Sequence, residues 1–103
     1  MKTENMTSTN GNKVANQFII IDDNGNEFFQ SYKSVIAKRY YPHQANEDNL
    51  NTVINKVELD QKYWNYSNTT GKYRNIFLNE TIKDTRKKIK SGEYKLTDLN
   101  GGI

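Results

Sequence analysis

Two stretches of the sequence contain residue types that bind phosphate or metal in other proteins, but neither has a complete motif. Residues 70–72 (Thr-Gly-Lys) resemble the end of a phosphate-binding loop. Tyr66 stands where the first Gly is needed, and Tyr73 stands where the magnesium-binding hydroxyl residue is needed. Residues 22–26 begin like a calcium loop, but Lys33 occupies the position of the bidentate Glu. A tight turn is the better interpretation of residues 22–26.

His43 is the only histidine, and with Glu47 it could place two metal ligands one helical turn apart. Two ligands beside Pro42 do not make a zinc site, and a chain without cysteine has no thiolate ligand or nucleophile. The paired carboxylates at 22–23 and 47–48 fall in predicted turns open to water, which is a poor setting for acid–base catalysis. The sequence therefore predicts a protein that is not an enzyme, with no metal, no cofactor and no small-molecule substrate.

Basic residues are concentrated in the second half of the chain. Residues 60–103 contain nine Lys/Arg and five Asp/Glu, against six and seven in residues 1–59. Four of the basic residues recur at i, i+3, i+4 and i+7, a spacing that places them on one stripe of a helix. These four, called the α2 stripe below, are Lys83, Arg86, Lys87 and Lys90. Lys72 and Arg74 flank Tyr73 on the preceding predicted helix.

Aromatic residues lie close to these cations, and three of them are candidates for base stacking or for a protein interface: Trp64, Tyr66 and Tyr73. Basic side chains interleaved with aromatic rings can hold a phosphate backbone and stack bases. The alternative interpretation is structural, with the rings in the core and the cations solvated. The sequence thus leaves open nucleic-acid binding and a protein-binding module rich in Tyr and Asn. Affinity that falls steeply with salt would distinguish nucleic acid.

The elements that must position these residues begin with a hairpin. Residues 14–22 and 27–32 are predicted strands joined by the Asn24-Gly25 turn, with Ile21 opposite Phe28 and Ile20 opposite Phe29. Two further strands are predicted, at residues 35–41 and 53–59, on either side of a polar loop at 42–52.

Two helices follow the predicted strands. The first begins at a hydroxyl-rich cap near residues 67–70 and runs to about 79. The second begins near residues 79–81, with Thr81 and Asp84 as a capping box, and ends at Gly92. Residues 93–99 are predicted to add a short strand or an extended arm. The order predicts an α+β domain, with an antiparallel sheet of about four strands and two C-terminal helices packed on one face.

Length and composition favour one folded domain of 103 residues. The apolar fraction is 34% and the mean hydropathy is −0.97, so the core must be small and rich in aromatic residues. Residues 1–13 are predicted to be a disordered tail, 14–99 a single α+β domain and 100–103 a flexible C-terminus. Neither a signal peptide nor an apolar run long enough to span a bilayer is evident, so a cytoplasmic location is expected.

Two strings in the chain resemble a family of small uncharacterised proteins of tailed phages, including crAss-like phages. Residues 30–37 read Gln-Ser-Tyr-x-Ser-x-Ile-Ala, and residues 64–72 read Trp-x-Tyr-Ser-x-Thr-Thr-x-Lys, followed by Phe77-Leu78. The resemblance covers about residues 14–99, although the loop at 42–52 is longer here. It implies no activity. It implies a phage origin and an accessory protein that binds nucleic acid, inhibits a host or defence protein, or belongs to the virion.

Overall fold

A computed structural model describes residues 1–8, 10–40 and 56–101, which form a six-stranded sheet and two helices. The strands are β1 Lys2–Thr7, β2 Lys13–Ile21, β3 Glu27–Ser31, β4 Ser34–Arg39, β5 Val57–Asp60 and β6 Tyr94–Thr97. The helices are α1 Asn68–Leu78 and α2 Ile82–Ser91, and both lie between β5 and β6 in the chain.

The sheet is mixed, and the prediction of a four-stranded antiparallel sheet is wrong. The six strands lie in chain order, and neighbours are antiparallel except for β5 and β6, which are parallel. A parallel pair needs a long crossover, and here α1 and α2 together form it. The segment at 93–99, predicted as a strand or an extended arm, contains strand β6. The two helices are therefore a connection within the sheet rather than a C-terminal addition to it.

Strand β1 corrects the prediction that residues 1–13 form a disordered tail. β1 pairs with β2 along most of its length, from Lys2 opposite Ile21 to Thr7 opposite Lys13. Only one side chain of β1, that of Met6, is buried. The backbone ladder is satisfied by N–H and C=O groups and needs no apolar side chains, so the polar composition of β1 concealed it.

Strands β2 and β3 form the predicted hairpin, but the register is shifted by one residue. Ile20 lies opposite Phe28 and Ile19 lies opposite Phe29, whereas the predicted two-residue turn would place Ile21 and Ile20 opposite these rings. Because side chains alternate between the two faces of a strand, Ile19 shares the core face with the fully buried Phe29.

The shift arises in the turn, which has three loop residues instead of two. The carboxylate of Asp22 accepts hydrogen bonds from the backbone N–H of Asn24 and of Asn26, each at 2.9 Å. Asp22 and Asn26 also pair through the backbone, and Gly25 between them has a φ of 86°. A left-handed residue at the end of such a loop suits Gly, so the Asn-Gly pair marks the turn without setting its length.

The helices cover one face of the sheet through a core of ten buried hydrophobic residues. These are Met6, Phe29, Ile36, Ala37, Val57, Leu59, Tyr73, Phe77, Leu78 and Tyr94. The rings of Phe29 and Phe77 stack with centroids 5.9 Å apart. Arg39 donates to the backbone oxygen of Phe77 at 2.8 Å and to the carboxylate of Glu27 at 3.0 Å. Arg39 therefore ties the C-terminal end of α1 to the start of β3.

Both helices begin, and α2 ends, at the capping residues that the sequence predicted. The Ser67 hydroxyl accepts a hydrogen bond from the backbone N–H of Thr70 at 3.1 Å. Thr81 and Asp84 form the reciprocal capping box, and Gly92 ends α2 with a φ of 86°. These predictions are confirmed because capping depends on residues that are close together in the sequence.

Some predictions concern residues outside the described ranges: the loop at 42–52, His43, Glu47, the carboxylates at 47–48 and the start of the fourth strand at 53–55. Near the C-terminus, the side chain of Asn100 forms hydrogen bonds of 2.8 and 3.0 Å with the backbone of Val35. The backbone N–H of Leu99 donates to Asp60 at 2.9 Å, so the segment after β6 is attached to the sheet.

Candidate nucleic-acid interface

The α2 stripe is exposed along its whole length. All four of its side chains are exposed, and none makes an ion pair within the described part of the chain. The nearest acidic residue on the helix, Asp84, is engaged by Thr81. Hydrogen bonds from the backbone and the side chain of Thr81 lower the pKa of Asp84, and Lys87 contributes less. The α2 stripe therefore presents its positive charge to solvent.

A groove of about 660 Å³ lies beside the stripe, between α1 and the first turns of α2. Its lining residues are Asn65, Ser67, Asn68, Gly71, Lys72, Arg74, Asn75, Ile76, Ile82 and Arg86. Three of them are basic and none is acidic. Arg86 belongs to both the α2 stripe and the groove. The two features therefore form one continuous positive surface.

Arg74 was predicted to be a surface cation, and the structure buries it completely. Its guanidinium donates to the backbone oxygen of Trp64 at 2.7 Å and to the side-chain oxygens of Asn65 at 3.0 Å and Asn75 at 3.1 Å. Its Nε atom has no hydrogen-bond partner among the described residues. Arg74 is therefore not the exposed cation that the sequence suggested, because its side chain is buried and both terminal guanidinium nitrogens are engaged by oxygens of the protein.

The charge of Arg74 is compensated mainly by neutral oxygens. No carboxylate of the described residues lies within ion-pair distance of it. Burial lowers the pKa of Arg74 most, Arg86 lowers it further, and Glu80 raises it less than these lower it. An arginine remains protonated in spite of such shifts. Arg74 thus places a permanent positive charge beneath the groove.

The three aromatic candidates have different environments. Tyr73 is buried in the core, which favours the structural interpretation of that residue. Trp64 is half-buried against the core, with the guanidinium of Arg74 5.2 Å from its ring centre. Tyr66 is 46% exposed and meets Tyr63 edge to face at 5.6 Å. Of the three, only Tyr66 offers a large exposed ring for stacking.

A second polar cluster joins the helices to β6. The carboxylate of Glu80, with 6% of its side chain exposed, accepts hydrogen bonds from Thr85 at 2.5 Å, Tyr94 at 2.6 Å and Lys88 at 2.8 Å. Burial opposes ionisation of Glu80, but these three donors together lower its pKa. Burial and the bond to Glu80 raise the pKa of Tyr94 to about 12. Thr85, Lys88 and Tyr94 all donate to Glu80, so the cluster joins the α1–α2 connection to α2 and β6.

Sequence reasoning missed the asparagines of the groove. Asn65 and Asn75 lie on either side of Arg74 and accept hydrogen bonds from it. Their positions in the sequence carried no distinctive spacing, and heavy Asn use throughout the chain hid them. Lys72 and Arg86 were identified, but nothing in the sequence showed that they line one groove.

No group of acidic and histidine side chains within residues 1–8, 10–40 and 56–101 is arranged to hold a metal ion. None of the helices that the structure describes is both long and apolar enough to cross a bilayer. Neither the curated proteins nor the solved structures include a significant match to this chain. A family profile does match residues 1–93, and the chain therefore belongs to the DUF8033 family, a family of unknown function.

Proposed function

We propose that this protein is a non-enzymatic accessory protein that binds nucleic acid through the α2 stripe and the adjoining groove. The observation that carries the proposal is the continuous positive surface. Its exposed cations make no ion pair with any described residue, and they adjoin a groove that has no acidic residue in its lining. Lys and Arg arranged in this way bind phosphate backbones by releasing counterions. The resemblance to tailed-phage proteins supports a phage origin and a role in the host cytoplasm.

The proposal requires that positive charge at the α2 stripe, rather than net charge, determines affinity. The double variant Arg86→Glu with Lys87→Glu should abolish the mobility shift of DNA or RNA. Its circular dichroism spectrum should be unchanged, because both side chains are exposed. The matched control is Lys13→Glu with Lys33→Glu, which makes the same charge change at exposed positions outside the helices. The control should retain most of the affinity.

Salt dependence gives a second measurement on the same protein. If the four cations of the α2 stripe each contact a phosphate of a single strand, the slope of log affinity against log salt should be about −3. Neutralising two of them, in Arg86→Gln with Lys87→Gln, should weaken binding and reduce that slope by about half. Equal losses in the α2 variant and in its control would contradict a localised interface.

The alternative function is a protein-binding module, such as an inhibitor of a host or defence protein or a virion component. Large exposed hydrophobic residues favour it, among them Tyr66 at 46% and Ile76 at 50% exposure. If the unmodified protein shifts neither DNA nor RNA at low salt, the protein-binding function replaces the nucleic-acid function. Affinity purification from cells that contain the partner, with and without Tyr66→Ser, then tests it.

A further inference from the structure

The groove between α1 and α2 has a lining that presents hydrogen-bond donors. Arg74 donates to the side-chain oxygens of both Asn65 and Asn75, and this fixes the orientation of the two amides. Each amide oxygen is engaged by Arg74, and neither NH₂ group has a hydrogen-bond partner among the described residues, so both NH₂ groups are available to a ligand in the groove. Lys72 and Arg86 add charged donors at the same groove. A site built from donors recognises acceptors, and anions above all.

The backbone adds to the positive potential of the groove. Ser67 and Asn68, at the N-terminus of α1, line it, and a helix N-terminus carries partial positive charge. The second, independent observation is the buried cation Arg74. Among the described residues its Nε has no hydrogen-bond partner, and no carboxylate lies at ion-pair distance from its guanidinium. An anion in the groove would supply the compensating charge that the fold leaves out.

The groove also has an apolar wall. Ile76, at 50% exposure, and Ile82 are among its lining residues. Its volume of about 660 Å³ falls within the usual range of small-ligand sites, roughly 300–1,000 Å³. These groups match the chemistry of a nucleotide. The cations can hold a phosphate, the isoleucines can pack against a planar base, and the amide donors can bond to the edge of the base.

We infer that the groove binds one phosphorylated nucleoside, with the phosphate on Lys72 and Arg86 and the base against Ile76 and Ile82. This inference rests on the proposed function in one respect, since the nucleotide can be one unit of a bound strand. The same chemistry is offered by a free mononucleotide.

The test measures AMP, adenosine and inorganic phosphate by calorimetry, and follows asparagine side-chain amide signals by NMR. AMP should bind at least about tenfold more tightly than adenosine or phosphate alone, because only AMP uses both parts of the groove. AMP should also shift the NH₂ signals of Asn65 and Asn75. Absence of AMP binding, or equal binding of adenosine, would overturn the inference.

The decisive variant is Asn65→Asp, which places a carboxylate where an amide oxygen lies 3.0 Å from Arg74. The new carboxylate neutralises the buried cation, so the thermal midpoint should be unchanged or higher while AMP affinity falls by about tenfold or more. The control Asn24→Asp makes the same charge change at an exposed position in the β2–β3 turn and should alter AMP affinity by less than about twofold. If Asn65→Asp does not fold, Arg86→Gln gives the same test at an exposed side chain.

Binding of a short oligodeoxyadenylate separates the two sources and the two proposals. If the strand and AMP compete, the bound nucleotide is a unit of the strand. If AMP binds and the strand does not, the ligand is a free nucleotide; this outcome rejects the proposed function but not the groove site. If strand binding is lost in the double variant Lys83→Glu with Lys87→Glu and unchanged in Asn65→Asp, nucleotide binding in the groove is rejected. That outcome is consistent with the proposed function. A polyglutamate peptide that binds as tightly as AMP would overturn the nucleotide assignment.

Discussion

Replacing Glu80 by Ala should destabilise the protein more than any surface substitution on the helices. The change removes the acceptor of three hydrogen bonds that join the α1–α2 connection to α2 and β6. Tyr94, which is 6% exposed, is left with a buried hydroxyl that has lost its acceptor, at a cost of about 1–3 kcal/mol. Thr85 retains a bond of 3.2 Å to the backbone oxygen of Thr81, so its loss is smaller.

The contributions sum to about 3 kcal/mol, because the half-exposed Lys88 regains water and adds little. For a domain of this size that loss lowers the thermal midpoint by roughly 12–24 °C. Urea unfolding followed by circular dichroism measures it. The matched control is Glu93→Ala, since Glu93 is exposed and only 4.0 Å from the same lysine, and it should cost less than about 0.5 kcal/mol.

The pH dependence gives an independent check on the same group. The pKa of Glu80 is below its ordinary value of 4.5 in the folded protein, so its ionised form contributes stability above that pH. This contribution is lost as the pH falls through the folded pKa. The difference in unfolding free energy between the unmodified protein and Glu80→Gln should therefore be largest near neutral pH and shrink in acid. A difference independent of pH, or a loss below about 1 kcal/mol in Glu80→Ala, would refute the reasoning.

Two further predictions concern single contacts. Gly71→Ala should stabilise the protein by about 0.5–1 kcal/mol in urea unfolding, because Gly71 lies within α1, where Ala is the better helix former. The atoms nearest to an added Cβ are at ordinary contact distances of 3.6 and 3.7 Å. Destabilisation would show that the added methyl group clashes with these atoms. The hydrogen bond from Tyr40 to Glu58, together with burial, raises the pKa of Tyr40 to about 12. In an ultraviolet titration, Glu58→Gln should therefore move the pKa of Tyr40 back towards 10.0 and leave the pKa of Tyr94 unchanged.

Local features were readable from the sequence because their causes lie within a few residues. Ser67, Thr81 and Gly92 bound the two helices through capping interactions that involve neighbours three or four positions away. The i, i+3, i+4, i+7 spacing likewise placed the α2 stripe on one surface of α2, where its side chains are exposed.

The groove was only partly predictable. Lys72 and Arg86 were recognised as cations, but they come from different helices, and their approach depends on how α1 and α2 pack. Burial of Arg74 was not predictable either, because its partners Asn65 and Asn75 do not differ in type from the many other asparagines of the chain.

The sequence by itself determined two capped helices, one hairpin and an exposed basic stripe, because each depends on short-range periodicity or capping. Only the tertiary structure decided the remainder. It added β1 by backbone pairing, made β6 a parallel neighbour of β5, shifted the hairpin by one residue and enclosed Arg74 beneath a groove. The pairings of β1 and β6 join segments far apart in the chain, which no local pattern records. The hairpin shift comes from hydrogen bonds within the turn, and Arg74 is held by residues up to ten positions away, where no distinctive spacing marks the contact.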